Sequence, residues 1–185
     1  MNGHRARGSS TDHVEGGLLT GAADETIRLA AQVHVPVLVT SEDPEQRDLC
    51  ARLIHASGGR CRGPFVTFPV NGQHDATTTH SSVPRVAGGS GIDTDLRHRF
   101  DQARGGTLFI DDVCALTAAA QAQLLAFLDE QVPVPYSSVP FAEPDVRIVA
   151  GASRHVDTER AAGAFSQALF YRLNVIHVDL GNERA

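Results

Sequence analysis

The stretch Thr107-Leu108-Phe109-Ile110-Asp111-Asp112 decides the fold that we predict for this chain. Its first four residues follow Gly105-Gly106 and are apolar or β-branched, a pattern typical of a buried strand covered on both faces. In open parallel sheets, ligands bind beyond the carboxyl ends of the strands. The two acids at that end therefore indicate either a site for Mg²⁺ or water beside a nucleotide, or simple caps of the following turn.

The composition predicts one globular domain without an aromatic-rich core. The chain has 185 residues, of which 42% are hydrophobic and 5% aromatic, and its formal net charge is −6. That charge argues against nucleic-acid binding by bulk electrostatics, which needs basic patches. No run of about 18 apolar residues is present, so we predict no membrane span. Residues 1–17 are polar and are predicted to form a flexible tail rather than a secretory signal.

The three cysteines indicate a reducing compartment. Cys50, Cys61 and Cys114 are odd in number and form no C-x-x-C pair. We therefore predict buried free thiols and a cytoplasmic location.

Apolar segments alternate along the chain between strand and helix patterns. Strands are predicted at 35–39, 65–68, 107–110, 146–150 and 175–178, and helices at 24–32, from Pro44 to before Gly58, at 95–103, at 118–131 and around 165–173. This alternation predicts an α/β fold with a parallel sheet of about five strands.

Two helix starts carry clear capping signals. Asp43-Pro44-Glu45-Gln46 places an N-cap Asp before a Pro at the first helical position. Thr117 is predicted to cap the helix that follows it, which Pro133 and Pro135 would end.

The segment 71–94 is polar and rich in small residues, and we predict a long loop there. It contains His74, Asp75 and His80, which are metal-binding residue types. Because nothing in the spacing fixes their geometry, we predict no metal site from them.

At this level the chain resembles the central AAA+ ATPase domain of bacterial enhancer-binding proteins, the activators of sigma-54 RNA polymerase. The resemblance extends over about residues 20 to 180 and implies a P-loop-type three-layer sandwich. The matching strings are Ala51-Arg52-Leu53-Ile54-His55, Pro64-Phe65-Val66, Arg99-Phe100-Asp101-Gln102-Ala103, Gly105 to Asp112, Asp145 to Ala150 and Phe170-Tyr171-Arg172-Leu173-Asn174-Val175.

The resemblance assigns Asp111 and Asp112 to the family's Walker B pair and implies Mg²⁺ at Asp111 if a nucleotide binds. The family's phosphate loop, G-x-x-x-x-G-K, falls on residues 41–48, where Ser41 and Gln46 replace its glycines and Arg47 its lysine, with Asp48 next. Such a loop needs glycines so that backbone N–H groups can surround phosphates. Asp43 is therefore either a built-in anion at the phosphate position or part of an unused surface turn.

Other family positions are altered as well. Asp112 replaces a glutamate, Ser153 replaces the sensor asparagine, and Ser166 replaces the first of two arginines. The second arginine is Arg172, for which a role across a subunit boundary and a structural ion pair both stay open. The segment 71–94 lacks the family's GAFTGA loop, which argues against direct contact with sigma-54 by the family mechanism.

The family's helical lid and helix-turn-helix domain have no counterpart here, so we expect a degenerate, truncated AAA+ core at 18–185 without a DNA-binding domain. Three functions stay open. The resemblance and its altered positions favour a pseudo-ATPase that binds a protein partner, such as an intact enhancer-binding protein or another transcription regulator, in a homo- or hetero-oligomer. Alternatively, the chain is an active ATPase module with ATP and Mg²⁺ as cofactors. A small-molecule domain that uses the vacant cleft is the third.

Overall fold

The computed structural model describes residues 21–70, 91–130, 145–153 and 155–181. They form a five-stranded parallel sheet with helices on both faces. The strands are β1 (Val37–Thr40), β2 (Phe65–Pro69), β3 (Thr107–Asp111), β4 (Arg147–Ala152) and β5 (Ile176–Asp179). The helices are α1 (Gly21–Gln32), α2 (Pro44–Ala56), α3 (Gly91–Gln102), α4 (Ala118–Glu130), α5 (Val156–Ala161) and α6 (Gln167–Leu173).

The sheet order is β2-β3-β4-β1-β5, so β4 lies between β3 and β1. In its register Ile110 of β3 lies beside Ala150 of β4, and Thr40 of β1 lies beside Ala152. The carboxyl ends of β1, β3 and β4 therefore meet at one edge of the sheet. This edge is where ligands bind in open parallel sheets.

Two apolar layers hold the helices to the sheet. On one face, α1 and α2 pack through residues such as Ile27 and Ile54 against Phe109 and Val149. The opposite layer joins α3, α4 and α6 to the sheet through buried residues such as Leu96, Leu124, Leu169 and Ile148. Burying a Leu or Ile side chain contributes about 1.5–3 kcal/mol, so both layers stabilise the sandwich strongly.

All five predicted strands are confirmed, with ends that differ by one or two residues. The predicted loop 71–94 is wrong at its end, because Gly91–Gln102 is helical. Leu96 and Phe100 anchor that helix in the core, and extending an anchored helix by another turn is cheap. Residues 71–90, with His74, Asp75 and His80, lie outside the described residues, as does the tail 1–17.

Two further expectations concern exposure. Cys50 is buried and Cys114 half-buried, but Cys61 is exposed, which corrects the prediction of three buried thiols. Cys61 lies in the turn after α2, and a turn outside both apolar layers gives its side chain no cover. None of the helices in the described part of the chain combines the length and the apolar character that a membrane-spanning helix needs.

Candidate functional site

Helix α2 begins at the carboxyl edge of the sheet, immediately after β1. The carboxylate of Asp43 accepts a hydrogen bond from the backbone N–H of Glu45 at 2.9 Å, and Pro44 is the first helical residue. The N–H of Asp43 in turn donates to the Ser41 hydroxyl oxygen at 3.1 Å. The predicted N-cap is confirmed, and a carboxylate thus occupies the positive end of this helix.

Arg47 crosses from α2 to the end of β3. Its Nε donates to Asp111 Oδ1 at 2.7 Å, and its Nη1 donates to the carbonyl oxygen of Ser41 at 2.7 Å. The Arg47 side chain is 6% exposed and that of Asp111 26%. The residue predicted at the position of a phosphate-binding lysine is thus paired with the carboxylate predicted at the position of a Mg²⁺ ligand.

Gly151 in β4 makes room for this pair. A Cβ atom at Gly151 would lie 3.2 Å from both Arg47 Cδ and Asp111 Oδ1, and 3.3 Å from Arg47 Nε. These distances are tighter than ordinary van der Waals contact. A Cβ atom at this position would therefore require Arg47 or Asp111 to shift by a few tenths of an ångström.

The other residues of the predicted phosphate loop also have partners within the chain. The Ser41 hydroxyl donates to Gln46 Oε1 at 3.0 Å, and Asp48 accepts from Arg52 Nε at 2.6 Å. The structure therefore brings Ser41, Gln46 and Arg47 together with Asp111, while Asp48 faces along the exposed side of α2.

Asp112 has a left-handed backbone, with φ of 62°, and precedes a 3₁₀ turn at Val113–Ala115. Among residues other than glycine, Asp and Asn tolerate this conformation best. Burial, and next the charge of Asp112, raise the pKa of the nearby Cys114 to about 12, so that thiol stays protonated at neutral pH. Ser153 follows β4, and its carbonyl oxygen accepts from the N–H of Val156 at 3.3 Å, at the start of α5.

Arg172 lies on α6, in the helical layer across the sheet from α2. It forms an ion pair with Asp129 of α4, with Nη2 and Oδ1 2.6 Å apart, and both side chains are nearly half exposed. The ion-pair alternative for Arg172 is therefore observed within this chain. Ser166, which the resemblance assigns to the first of the family's two arginine positions, caps α6 by accepting from the N–H of Leu169 at 3.3 Å.

Sequence reasoning missed Gln121, a buried residue of α4. Its Nε2 donates to the carbonyl oxygens of Leu116 and Ala164, both at 3.0 Å. Its Oε1 accepts from the N–H of Ser166 at 2.8 Å. Gln121 thus fixes the turn that begins α6. A glutamine beside the apolar stripe of an otherwise amphipathic helix is the one signal that could have identified it.

A second missed group lies at the opposite edge of the sheet. Arg147 is buried at the start of β4 and donates from Nη2 to the Ala30 carbonyl at the end of α1. Burial, and then the charge of Arg60, lower the pKa of Arg147 to about 10. His55 Nδ1 hydrogen-bonds Thr107 Oγ1 at 3.0 Å, and burial together with Arg147 lowers its pKa below 6.5.

A polar contact also ties the edge strand β5 to β1. Thr40 is 4% exposed, lies 2.9 Å from His177 Nε2 and donates to Asp179 Oδ1 at 3.3 Å. Within the described ranges, no group of three or more His, Cys, Asp or Glu side chains is placed to hold a metal ion.

Solved structures with the same fold define the class of this domain. NtrX from Brucella abortus in complex with ATP is 24% identical with a TM-score of 0.65, over 86% of this chain and 36% of that one. The P-loop NTPase domain of a sigma-54 transport activator from E. coli is 16% identical with a TM-score of 0.57, over 80% of this chain and 98% of that one. The fold is that of a P-loop AAA+ domain.

The sequence comparison identifies the family. The family model described as the sigma-54 interaction domain matches residues 19–179, and the chain belongs to this family. The response regulator protein PilR of Pseudomonas aeruginosa is 36% identical over 151 residues, which are 80% of this chain and 34% of PilR. The transcriptional regulatory protein ZraR of Klebsiella oxytoca is 32% identical over 155 residues, 83% of this chain and 35% of ZraR. The chain spans about a third of these relatives.

Proposed function

We propose that this chain is a sigma-54 activator-type AAA+ domain that acts in transcription regulation as a pseudo-ATPase, through protein contacts rather than ATP turnover. The observation that supports this most is the ion pair between Arg47 and Asp111 at 2.7 Å. In this family, the phosphate-loop position of Arg47 carries the lysine for the nucleotide, and the Walker B position of Asp111 carries the ligand for Mg²⁺. Here the two groups neutralise each other.

The charges around α2 support the same proposal. The N-terminus of a helix attracts anions, but at α2 the Asp43 carboxylate already occupies that position and accepts a hydrogen bond from the backbone N–H of Glu45. Glu42 and Glu45 flank that carboxylate, and both are exposed. Two unit charges about 4 Å apart repel by about 4 kcal/mol at an effective dielectric constant of about 20. A bound triphosphate would meet several such repulsions.

The backbone of the loop argues in the same direction. Phosphate loops surround their ligand with N–H groups, which glycine makes accessible. Pro44 has no N–H, and the N–H groups of Asp43 and Glu45 donate to protein oxygens. We also propose that Mg²⁺ has no site at Asp111 while Arg47 holds that carboxylate. Because Ser153 has no amide in place of the family's asparagine, we propose that it does not act as a sensor.

The partner we propose is a protein: an intact enhancer-binding protein or another transcription regulator, bound in a hetero-oligomer or alongside further copies of this chain. The domain name of the family points to sigma-54 as a contact of its members. This sequence lacks the GAFTGA loop that makes that contact in the family, so we propose that sigma-54 is not a direct partner. Since the Arg172 side chain is paired with Asp129, we propose no catalytic role for it in a neighbouring subunit.

The second candidate function is an active ATPase module, which the ATP complex of NtrX favours because the two proteins share their fold. Calorimetric titration with Mg·ATP separates the two candidates. We expect no heat of binding at up to about 1 mM nucleotide, a weak-affinity range for proteins. The corresponding domain of PilR serves as the comparison protein. Micromolar binding to this chain, followed by phosphate release, would overturn the pseudo-ATPase proposal.

Size-exclusion chromatography tests the partner. We expect mixed oligomers with an intact enhancer-binding protein, at the same elution volume with and without Mg·ATP. If the two proteins elute separately at every ratio tested, an enhancer-binding protein is not the partner.

A further inference from the structure

We infer that the Arg47 guanidinium forms an ionic bridge that joins α2 to the end of β3 and keeps the carboxyl edge of the sheet assembled without any nucleotide. The inference rests on the proposed function only in assuming that no nucleotide competes for Arg47. It concerns the mechanical state of the ligand-free domain. The contacts of Arg47 carry it, together with the position of Gly151.

The topology explains why α2 and the end of β3 need such an ionic bridge. Helix α2 follows β1, whereas Asp111 ends β3, and β4 separates these two strands in the sheet. The arginine spans β4 to reach Asp111 through Nε and, in the same geometry, holds the carbonyl of Ser41 through Nη1. One side chain thus connects the end of β1, the first turn of α2 and the end of β3.

Because the Arg47 side chain is buried, loss of either charge of the ion pair should cost much stability. The Arg47 side chain is 6% exposed, so its charge needs a partner inside the protein. Removing either partner of such a pair is strongly destabilising because the other charge stays behind without compensation. Replacing both partners with apolar residues is far milder. Arg47 and Asp111 should therefore behave as one energetic unit.

Gly151 is the positioning residue of this unit. It lies on β4 directly beneath the crossing side chain, where a Cβ would approach Arg47 Cδ and Asp111 Oδ1 to 3.2 Å. Glycine here does not serve a positive φ, so the space it leaves is its contribution. A domain held together in this way keeps its partner surfaces in one arrangement, whether or not nucleotide is present.

A double-mutant cycle on the full chain tests the inference by thermal unfolding. We expect Arg47→Met and Asp111→Leu each to lower the midpoint by about 5–10 °C, and the double variant to lower it by clearly less than the sum. Arg28→Met is the control, because the Arg28 pair with Glu25 is exposed, and we expect a change within about 2 °C. Additive shifts in the cycle would overturn the inference.

Milder variants keep the test valid if Arg47→Met does not fold. We expect Gly151→Ala to lower the midpoint by about 3–5 °C, whereas Gly59→Ala, whose nearest contact is His34 at 3.6 Å, should leave it within about 1 °C. Arg47→Lys keeps the charge but loses the planar guanidinium, and we expect its midpoint to lie between those of the wild type and Arg47→Met. Equal midpoints for Gly151→Ala and Gly59→Ala would overturn the positioning role.

Repeating the cycle with Mg·ATP separates this inference from the proposed function. A raised midpoint of the wild type with Mg·ATP would show nucleotide binding and, if phosphate release accompanied it, would refute the pseudo-ATPase proposal, while a coupled cycle would still support the ionic bridge. If Mg·ATP leaves the midpoint of the wild type unchanged and the cycle is additive, the ionic bridge alone is refuted.

Discussion

Replacing Gln121 with leucine tests whether one buried amide fixes the start of α6. The substitution conserves volume but removes three hydrogen bonds, to Leu116, Ala164 and Ser166, at 2.8–3.0 Å. Each such bond contributes about 1 kcal/mol net, so we expect a loss of about 3 kcal/mol in the free energy of unfolding. For a domain of this size, that loss lowers the midpoint of thermal unfolding by about 6–12 °C.

Gln123→Leu is the matched control for this prediction, two residues further along the same helix. In the part of the chain that the structure describes, Gln123 Oε1 is buried without a hydrogen-bond partner. Replacing it should therefore change the free energy of unfolding by less than about 1 kcal/mol, or raise it. Urea unfolding monitored by circular dichroism measures both variants. Equal midpoints for the two variants would refute the reasoning, since burial and helix position would then explain any loss.

Three further predictions concern the cap, the surface ion pair and pH. Asp43→Ala removes the cap of α2 and should lower the free energy of unfolding by about 1 kcal/mol in urea, whereas Asp43→Asn should keep most of it. Arg172→Met breaks a half-exposed pair with Asp129, so we expect a loss below about 1 kcal/mol by the same assay, and a larger loss would contradict this account. The pKa of His55 is lowered in the folded state, so the unfolded chain binds more protons as pH falls below 6.5, and stability should decline there. Urea midpoints at about pH 5 and pH 8 measure this decline, His55→Gln should flatten it, and Arg147→Met should raise the pKa of His55 in an NMR titration.

Sequence reasoning predicted the strands and the capped starts of α2 and α4 well, because these signals are local. The apolar run before Asp111 predicts a strand wherever it lies in the sheet. Likewise, Asp43 before Pro44 predicts a cap from neighbouring residues alone, and the structure has that cap. The prediction of a loop up to residue 94 was wrong because Leu96 and Phe100 anchor helix α3 in the core, and composition does not report such contacts.

The candidate site was only half predictable for a physical reason. Asp111 and Arg47 could each be assigned by resemblance, but their pairing depends on two strands that are not neighbours in the sheet. Gly151 carries no signal of its own, and the only signal of Gln121 is a polar residue beside an apolar stripe, since their contributions are a space and a set of backbone contacts. Such contributions exist only once the register of β4 and the packing of α4 are fixed.

The pairing of Arg47 with Asp111 also bears on how reversible this sequence is in evolution. A lineage acquiring a phosphate loop would have to replace Arg47 with lysine, a step that keeps the charge but loses the planar group that holds both Asp111 and the Ser41 carbonyl oxygen. Glycines at positions 41 and 46 would add flexibility before any nucleotide is bound to offset it. The early steps would thus lose stability while the benefit arrives only at the last one. Proteins sit just above their stability threshold, so selection would tend to block this path at its beginning.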